Sequence, residues 1–144
     1  MDNKAKSKKI RKNNPLHKKI GNIIQVDKYP NCRVVKSSEC GGTQYIPLFC
    51  STLKGNDTEY CNVDLLILKN NKIKVIVEIE ESNTTPTQIC GKVLVSSLSS
   101  NHIHKYVTDE TISMDDSVLF IQILDTSKIK NRRASSKFEQ WKNL

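Results

Sequence analysis

The stretch Tyr60 to Glu81, YCNVDLLILKNNKIKVIVEIEE, constrains the fold of this chain more than any other. Two apolar runs flank Asn70-Asn71, residues tolerated in the left-handed conformations of tight hairpins. Asp64 heads the first run, and Glu78-Ile79-Glu80 ends the second. Side chains alternate across a strand, so Glu78 and Glu80 share one face and Val75, Val77 and Ile79 the other. A strict two-residue loop pairs Asp64 with Val77 and puts Glu78 on the wrong face. A three-residue loop, Asn70-Asn71-Lys72, pairs Asp64 with Glu78. It also gathers Val63, Leu65, Ile67, Ile73, Val75, Val77 and Ile79 on one apolar face. A one-residue slip scatters that face, so burial favours the three-residue loop. The expectation is that Asp64, Glu78 and Glu80 converge.

Convergent carboxylates repel unless a cation or protons compensate. Carboxylates gathered at strand ends are how hard cations such as Mg²⁺ are held. The competing reading is a solvated strand end, with Glu78, Glu80 and Glu81 paired to Lys72 or Lys74.

Around this hairpin the chain reads as α/β. Asn14-Pro15 predicts a helix start, and Leu16, Ile20, Ile23 and Ile24 give that helix an apolar stripe that Pro30 ends. Cys32–Lys36 reads as a strand, 39–42 as a turn, and 46–49 as irregular. Strands follow at 59–69 and 72–80. Thr85-Pro86 opens a second helix whose apolar face is Ile89, Cys90, Val93, Leu94 and Leu98, with Gln88 and Lys92 on another face. Val118–Leu124 reads as a buried strand. Ser136 and Glu139 resemble a capping box for a last helix that would bury Phe138, Trp141 and Leu144. The order predicts a mixed sheet flanked by helices.

The chain has 144 residues, the size of one domain, and a net charge of +8. Six cations, Lys4, Lys6, Lys8, Lys9, Arg11 and Lys12, face only Asp2 in residues 1–13. That segment reads as a disordered basic tail, and 14–144 as a single domain. Lys128, Lys130, Arg132 and Arg133 form a second cluster. Both clusters suit a polyanion. No apolar run reaches membrane-span length and no signal-type segment is present, so the expectation is a cytoplasmic protein without membrane contact. The five cysteines form no CxxC pair and read as reduced, mostly buried hydrophobes. His102 and His104 read as surface residues.

The layout of Asp64, thirteen intervening residues, then Glu78-Ile79-Glu80, together with the αβββαβ order, resembles the PD-(D/E)xK nuclease superfamily over roughly residues 14–125. That superfamily includes restriction endonucleases, Holliday-junction resolvases and repair nucleases. Val63 stands where proline is frequent, and Glu80 stands where lysine is usual. The resemblance implies a restriction-endonuclease-like core and a Mg²⁺-dependent DNA endonuclease, with Mn²⁺ as an alternative ion. Asp64, Glu78 and the Ile79 carbonyl would ligate the metal, and Glu80 would help hold a second ion. Glu80 or Lys92, the latter supplied by the following helix, would serve the attacking water. Glu39 is an outer candidate ligand. Lys8, Lys9, Arg11, Lys12, Lys128, Lys130, Arg132 and Arg133 would contact duplex or branched DNA, and the family implies a homodimer. The alternative is a nuclease-like module that binds nucleic acid or a partner without catalysis.

Overall fold

The computed structural model describes residues 14–26, 28–81, 84–104, 110–125 and 127. Two helices, α1 (Pro15–Ile23) and α2 (Pro86–Leu98), accompany strands β1 (Cys32–Lys36), β2 (Ile46–Phe49), β3 (Glu59–Val63), β4 (Leu65–Lys69), β5 (Lys72–Glu80), β6 (Asn101–Ile103) and β7 (Thr111–Leu124). Among the described residues these strands form one mixed sheet in the order β1-β4-β5-β7-β6-β2-β3. The architecture is α/β. The last helix expected from sequence and both basic clusters lie outside the described residues.

The central hairpin reaches the expected register by an unexpected route. Lys69 pairs with Lys72, so the loop has two residues. Asn70 and Asn71 both sit at positive φ, 52° and 59°, as a type I′ hairpin requires. The pairing then shifts: Leu68 faces Ile73 and Ile67 faces Val75, leaving Lys74 as a β-bulge. Beyond it Leu65 faces Val77, so Asp64 comes opposite Glu78. The extra residue lies in the strand instead of the loop because two asparagines close the tighter turn unaided.

The bulge also redistributes the core. Leu65, Val77 and Ile79 pack with Cys40 beneath Leu16 and Ile20 of α1 and Ile24 just after it. Ile73 and Val63, expected on that face, join Leu66, Leu68, Ile76, Ile46, Leu48 and Ile112 in a second cluster.

The run 59–69 is two strands. Val63 pairs with Ile46 of β2, whereas Leu65 pairs with Lys36 of β1. The chain changes partners at Asp64, whose carbonyl accepts the Ser37 N–H at 2.9 Å. β2 was expected to be irregular because it is short and contains Pro47. Pro47 pairs with Asn62 of β3, and β6 begins its pairing only at Leu48, where a backbone N–H is again present.

Parallel pairing of β5 with β7 brings the ends of both strands together, Glu80 beside Leu124. α2 lies in the connection between them, and its start is as expected: Thr85 and Gln88 form a reciprocal capping box. Its orientation differs from expectation. Ile89 and Ser96 are buried, while Cys90, Val93, Leu94 and Leu98 are exposed. The inward stripe carries Lys92 toward carboxylates of β5, which turns the apolar stripe outward. His102 also departs from expectation. It is fully buried, with Nδ1 2.9 Å from the Pro47 carbonyl. The five cysteines are free; Cys40 is buried and Cys90 exposed. Among the described residues no helix is long and apolar enough to cross a membrane.

Candidate active site

Five elements meet at this site: the start of β4, the end of β5, α1, α2 and the 3-10 turn after β1. Asp64 sits at the partner-changing bend, and its Oδ2 accepts the Ile79 N–H at 2.8 Å. In an extended strand the N–H and C=O of one residue leave along the same edge. The Ile79 carbonyl therefore faces the Asp64 side, as the metal-ligand expectation needs.

Glu78 is only 3% exposed. Its Oε2 accepts from Lys92 Nζ at 3.2 Å, and Lys92 reaches Glu80 as well. Thr84 Oγ1 donates to the other Glu80 oxygen at 2.8 Å. The solvated reading of this strand end therefore fails. The carboxylates are partnered by a helix residue, while Lys74 turns to Asp115 at 2.8 Å.

The third element is the α1 N-terminus. His17 is buried, its Nε2 3.5 Å from both Asp64 Oδ2 and Glu39 Oε2. Its Nδ1 lies 2.9 Å from Glu81 Oε1, which also accepts the His17 backbone N–H at 2.8 Å. Glu81 thus satisfies a first-turn donor of α1 and orients the ring at once.

Glu39 comes from the 3-10 turn Ser38–Cys40, closed by Gly41 at φ 90°. Asn14 Nδ2 holds Glu39 Oε2 at 2.8 Å instead of capping α1. Gly21 lets α1 lie against this turn, since a Cβ there would come within 2.0 Å of the Cys40 carbonyl oxygen.

The electrostatics follow from this packing. Burial raises Glu78 to about 8; Lys92 opposes the shift, and the Asp64 charge and a hydrogen bond with Asp64 add to it. Glu78 therefore holds a proton at neutral pH. For Asp64, burial is the largest influence and favours the acid. Hydrogen bonds from His17 and Ile79 and the His17 charge outweigh it and lower the pKa. Burial pulls His17 down, but hydrogen bonds to Asp64 and Glu81 and the charges of Asp64 and Glu39 raise it to about 9. Lys92 follows the same logic: burial opposes its charge, and Glu80 and Glu78 more than compensate, raising its pKa. Lys92 is therefore an ammonium at neutral pH, not a base.

The sequence expectation and the geometry overlap without coinciding. Asp64 and Glu78 meet, and Glu78, Glu80 and Lys92 meet. Glu80 meets Lys92 and Thr84. Among the described residues, the group of three metal-capable donor atoms within 4.8 Å of one another is His17, Glu39 and Asp64. His17 was not anticipated. The available signal was Gly21, four residues on, which leaves that helix face free for close approach. Lys8, Lys9, Arg11, Lys12, Lys128, Lys130, Arg132 and Arg133 lie outside the described residues.

Six acid-base side chains besides Glu78 line this centre. With Glu78 protonated, Glu39, Asp64, Glu80 and Glu81 face His17 and Lys92, a surplus of two negative charges. Oxygen donors carrying that surplus suit a divalent cation. No family model, curated protein or solved structure matches this chain.

Proposed function

We propose that this chain is a metal-dependent endodeoxyribonuclease of the PD-(D/E)xK type, using Mg²⁺ or Mn²⁺ to hydrolyse phosphodiester bonds. The observation that carries the reading is the meeting of Asp64, Glu78 and Lys92 where β4 begins and β5 ends. The topology supports it. Setting aside β2, β3 and β6 leaves α1, β1, β4, β5, α2 and β7, an αβββαβ order. In it β1, β4 and β5 are antiparallel and β7 runs parallel to β5.

In this reading Asp64 and Glu78 hold the cation, with the Ile79 carbonyl directed to the same side. His17 and Glu39 offer Asp64 a second position on its other flank. His17 would have to lose its Nε2 proton to ligate there, and its imidazole would then favour Mn²⁺ over purely oxygen-seeking ions. A bound ion supplies a water of lowered pKa and neutralises charge on the phosphate. Lys92 takes the role of the motif lysine from the helix: its ammonium orients the water and stabilises charge on the phosphoryl oxygens. Glu80, standing at the usual lysine position, holds Lys92 in place. The parallel β5–β7 pairing adds support. Asp125 N–H meets the Glu80 carbonyl at 2.8 Å, so the basic run from Lys128 starts three residues from the centre, within about 10 Å of chain. Phosphate contacts from such a run give salt-dependent affinity.

A second reading, a nucleic-acid-binding or partner-binding module without catalysis, draws on the same ion pairs. Lys92 already satisfies Glu78 and Glu80 internally. One experiment separates the two: incubation of plasmid, linear duplex and branched DNA with Mg²⁺ or Mn²⁺. The nuclease reading expects metal-dependent cleavage that Asp64→Asn and Glu78→Gln abolish while DNA binding persists. Binding with no metal-dependent cleavage favours the module, and nicking that survives both substitutions rejects the assigned site.

A further inference from the structure

The β2–β3 hairpin carries a cleft on the face it turns away from the core. Ile46 and Leu48 belong to the core cluster, and the alternate residues Tyr45, Pro47 and Phe49 line the cleft. Pro47 and Phe49 are buried and form its floor, while Tyr45 is 66% exposed. Residues paired across two strands share a face. Asn62, opposite Pro47, and Glu59, opposite Phe49, therefore make one wall. The loop between the strands makes the other with Lys54 and Asn56. Thr58 holds that loop in shape, its Oγ1 2.7 Å from the Leu53 carbonyl and 3.0 Å from that of Gly55. The cleft measures about 500 Å³, within the roughly 300–1,000 Å³ of small-ligand sites.

The lining decides what fits. Lys54 and Glu59 cancel in charge, so the cleft favours an uncharged group over a run of phosphates. Asn62 Nδ2 donates to Glu59 Oε1 at 2.8 Å, which leaves the Asn62 amide oxygen as an acceptor. Asn56 adds a second amide. An exposed ring face, two amides and no net charge match a nucleobase, whose ring stacks on an aromatic side chain while its edge meets polar groups.

The position agrees with the lining. Ile46 pairs with Val63, so Tyr45 and Asp64 are the next residues along the two chains. Ser37 ties them together: its N–H donates to the Asp64 carbonyl at 2.9 Å, and it pairs with Gln44, the neighbour of Tyr45. The stacking platform thus adjoins the residue that heads the proposed metal site.

We infer that this cleft binds an unpaired nucleobase of a DNA strand, stacked on Tyr45, and that the substrates are strands with an unpaired nucleotide beside the cut instead of continuous duplex. A base inside a duplex reaches Tyr45 only by leaving the helix. The placement beside the cut rests on the nuclease reading; the choice of an unpaired base does not.

Equilibrium binding of fluorescein-labelled DNA to the metal-free full-length protein tests this without any cleavage. The probes are a blunt duplex and the same duplex with a single-stranded tail. The wild type should bind the tailed probe about tenfold more tightly, and Tyr45→Ala should remove about fivefold or more of that gain with unchanged circular dichroism. Tyr45→Phe should keep the gain, since the ring and not the hydroxyl does the stacking. Leu53→Ser, at a 73% exposed residue of the same loop outside the lining, should change nothing. Equal affinity for the two probes, no binding of either, or a tail preference that Tyr45→Ala leaves intact overturns the inference. A tail preference that depends on Tyr45 without metal-dependent cleavage removes the nuclease reading and leaves the base site standing. Cleavage indifferent to Tyr45 does the reverse.

Discussion

The two ends of the β4–β5 hairpin carry similar residues in opposite settings. At the turn, Arg33 donates to Asn71 at 2.8 Å and lies 3.6 Å from Glu110, with both charged side chains nearly half exposed. At the other end, Glu78 is buried, Asp64 and Glu81 nearly so, and each meets a cationic or proton-bearing partner from a helix. Water screens the first set, and exposed pairs of that kind contribute little. The second set is removed from water, so each charge depends on its neighbours. Burial, not the identity of the residues, separates a solvated hairpin end from a candidate catalytic centre.

The sharpest way to break this comparison is to remove charge at the buried end. Lys92→Met keeps most of the side-chain volume and deletes the ammonium. It should lower metal-dependent cleavage by roughly 10²–10³-fold, read as single-turnover rate, because an electrostatic contact at the reacting phosphate is lost. A smaller effect would place the water-orienting role on Glu80.

Stability against pH comes next. Glu78 has a folded pKa of about 8 against an ordinary 4.5. The folded state binds the extra proton between those values, so stability is full below pH 4.5 and falls as pH rises through 8. His17, about 9 against 6.5, acts in the same direction over a higher window, full below 6.5 and lost through 9. Metal-free protein should therefore lose stability between pH 5 and 9, by a magnitude of order a few kcal/mol. In urea titrations Glu78→Gln should flatten the lower part of that window and His17→Gln the upper part. A flat profile in the wild type contradicts the buried electrostatics.

Gly21→Ala tests the frame. The added methyl meets the Cys40 carbonyl, so α1 and the turn bearing Glu39 must separate. The expected cost is about 1–3 kcal/mol in thermal or urea unfolding. The smallest effect belongs to the turn: Arg33→Ala should change stability by no more than about 0.5 kcal/mol. A loss at Arg33 as large as that at Gly21 would erase the distinction between the two ends.

Sequence reasoning reached the Asp64–Glu78 pairing because a buried strand tolerates no slip of its apolar face. It misplaced the extra residue, choosing the loop over a bulge at Lys74. Both solutions yield the same pairing, and only backbone geometry at Asn70 and Asn71 distinguishes them. β2 and β6 were missed because four residues with a proline, and three with a histidine, carry too little periodicity. The outward turn of α2 was missed for a different reason. Its apolar stripe is the stronger sequence signal, yet the buried stripe is fixed by Lys92 finding Glu78 and Glu80. His17 was beyond reach of pattern alone, since its partners Glu39, Asp64 and Glu81 come from three other segments of the chain. The α/β class was legible from element order, which depends on local signals.

The central claim is that Asp64 and Glu78 form a divalent-cation site at the end of this sheet. Isothermal titration of Mn²⁺ and Mg²⁺ into the full-length protein at neutral pH tests it most directly. Binding is expected in the wild type, with proton release because Glu78 must ionise to become a ligand. Asp64→Asn and Glu78→Gln should each weaken binding at least tenfold, and Arg33→Ala should leave it unchanged. Absence of binding in the wild type, or wild-type affinity in both carboxylate variants, would contradict the account.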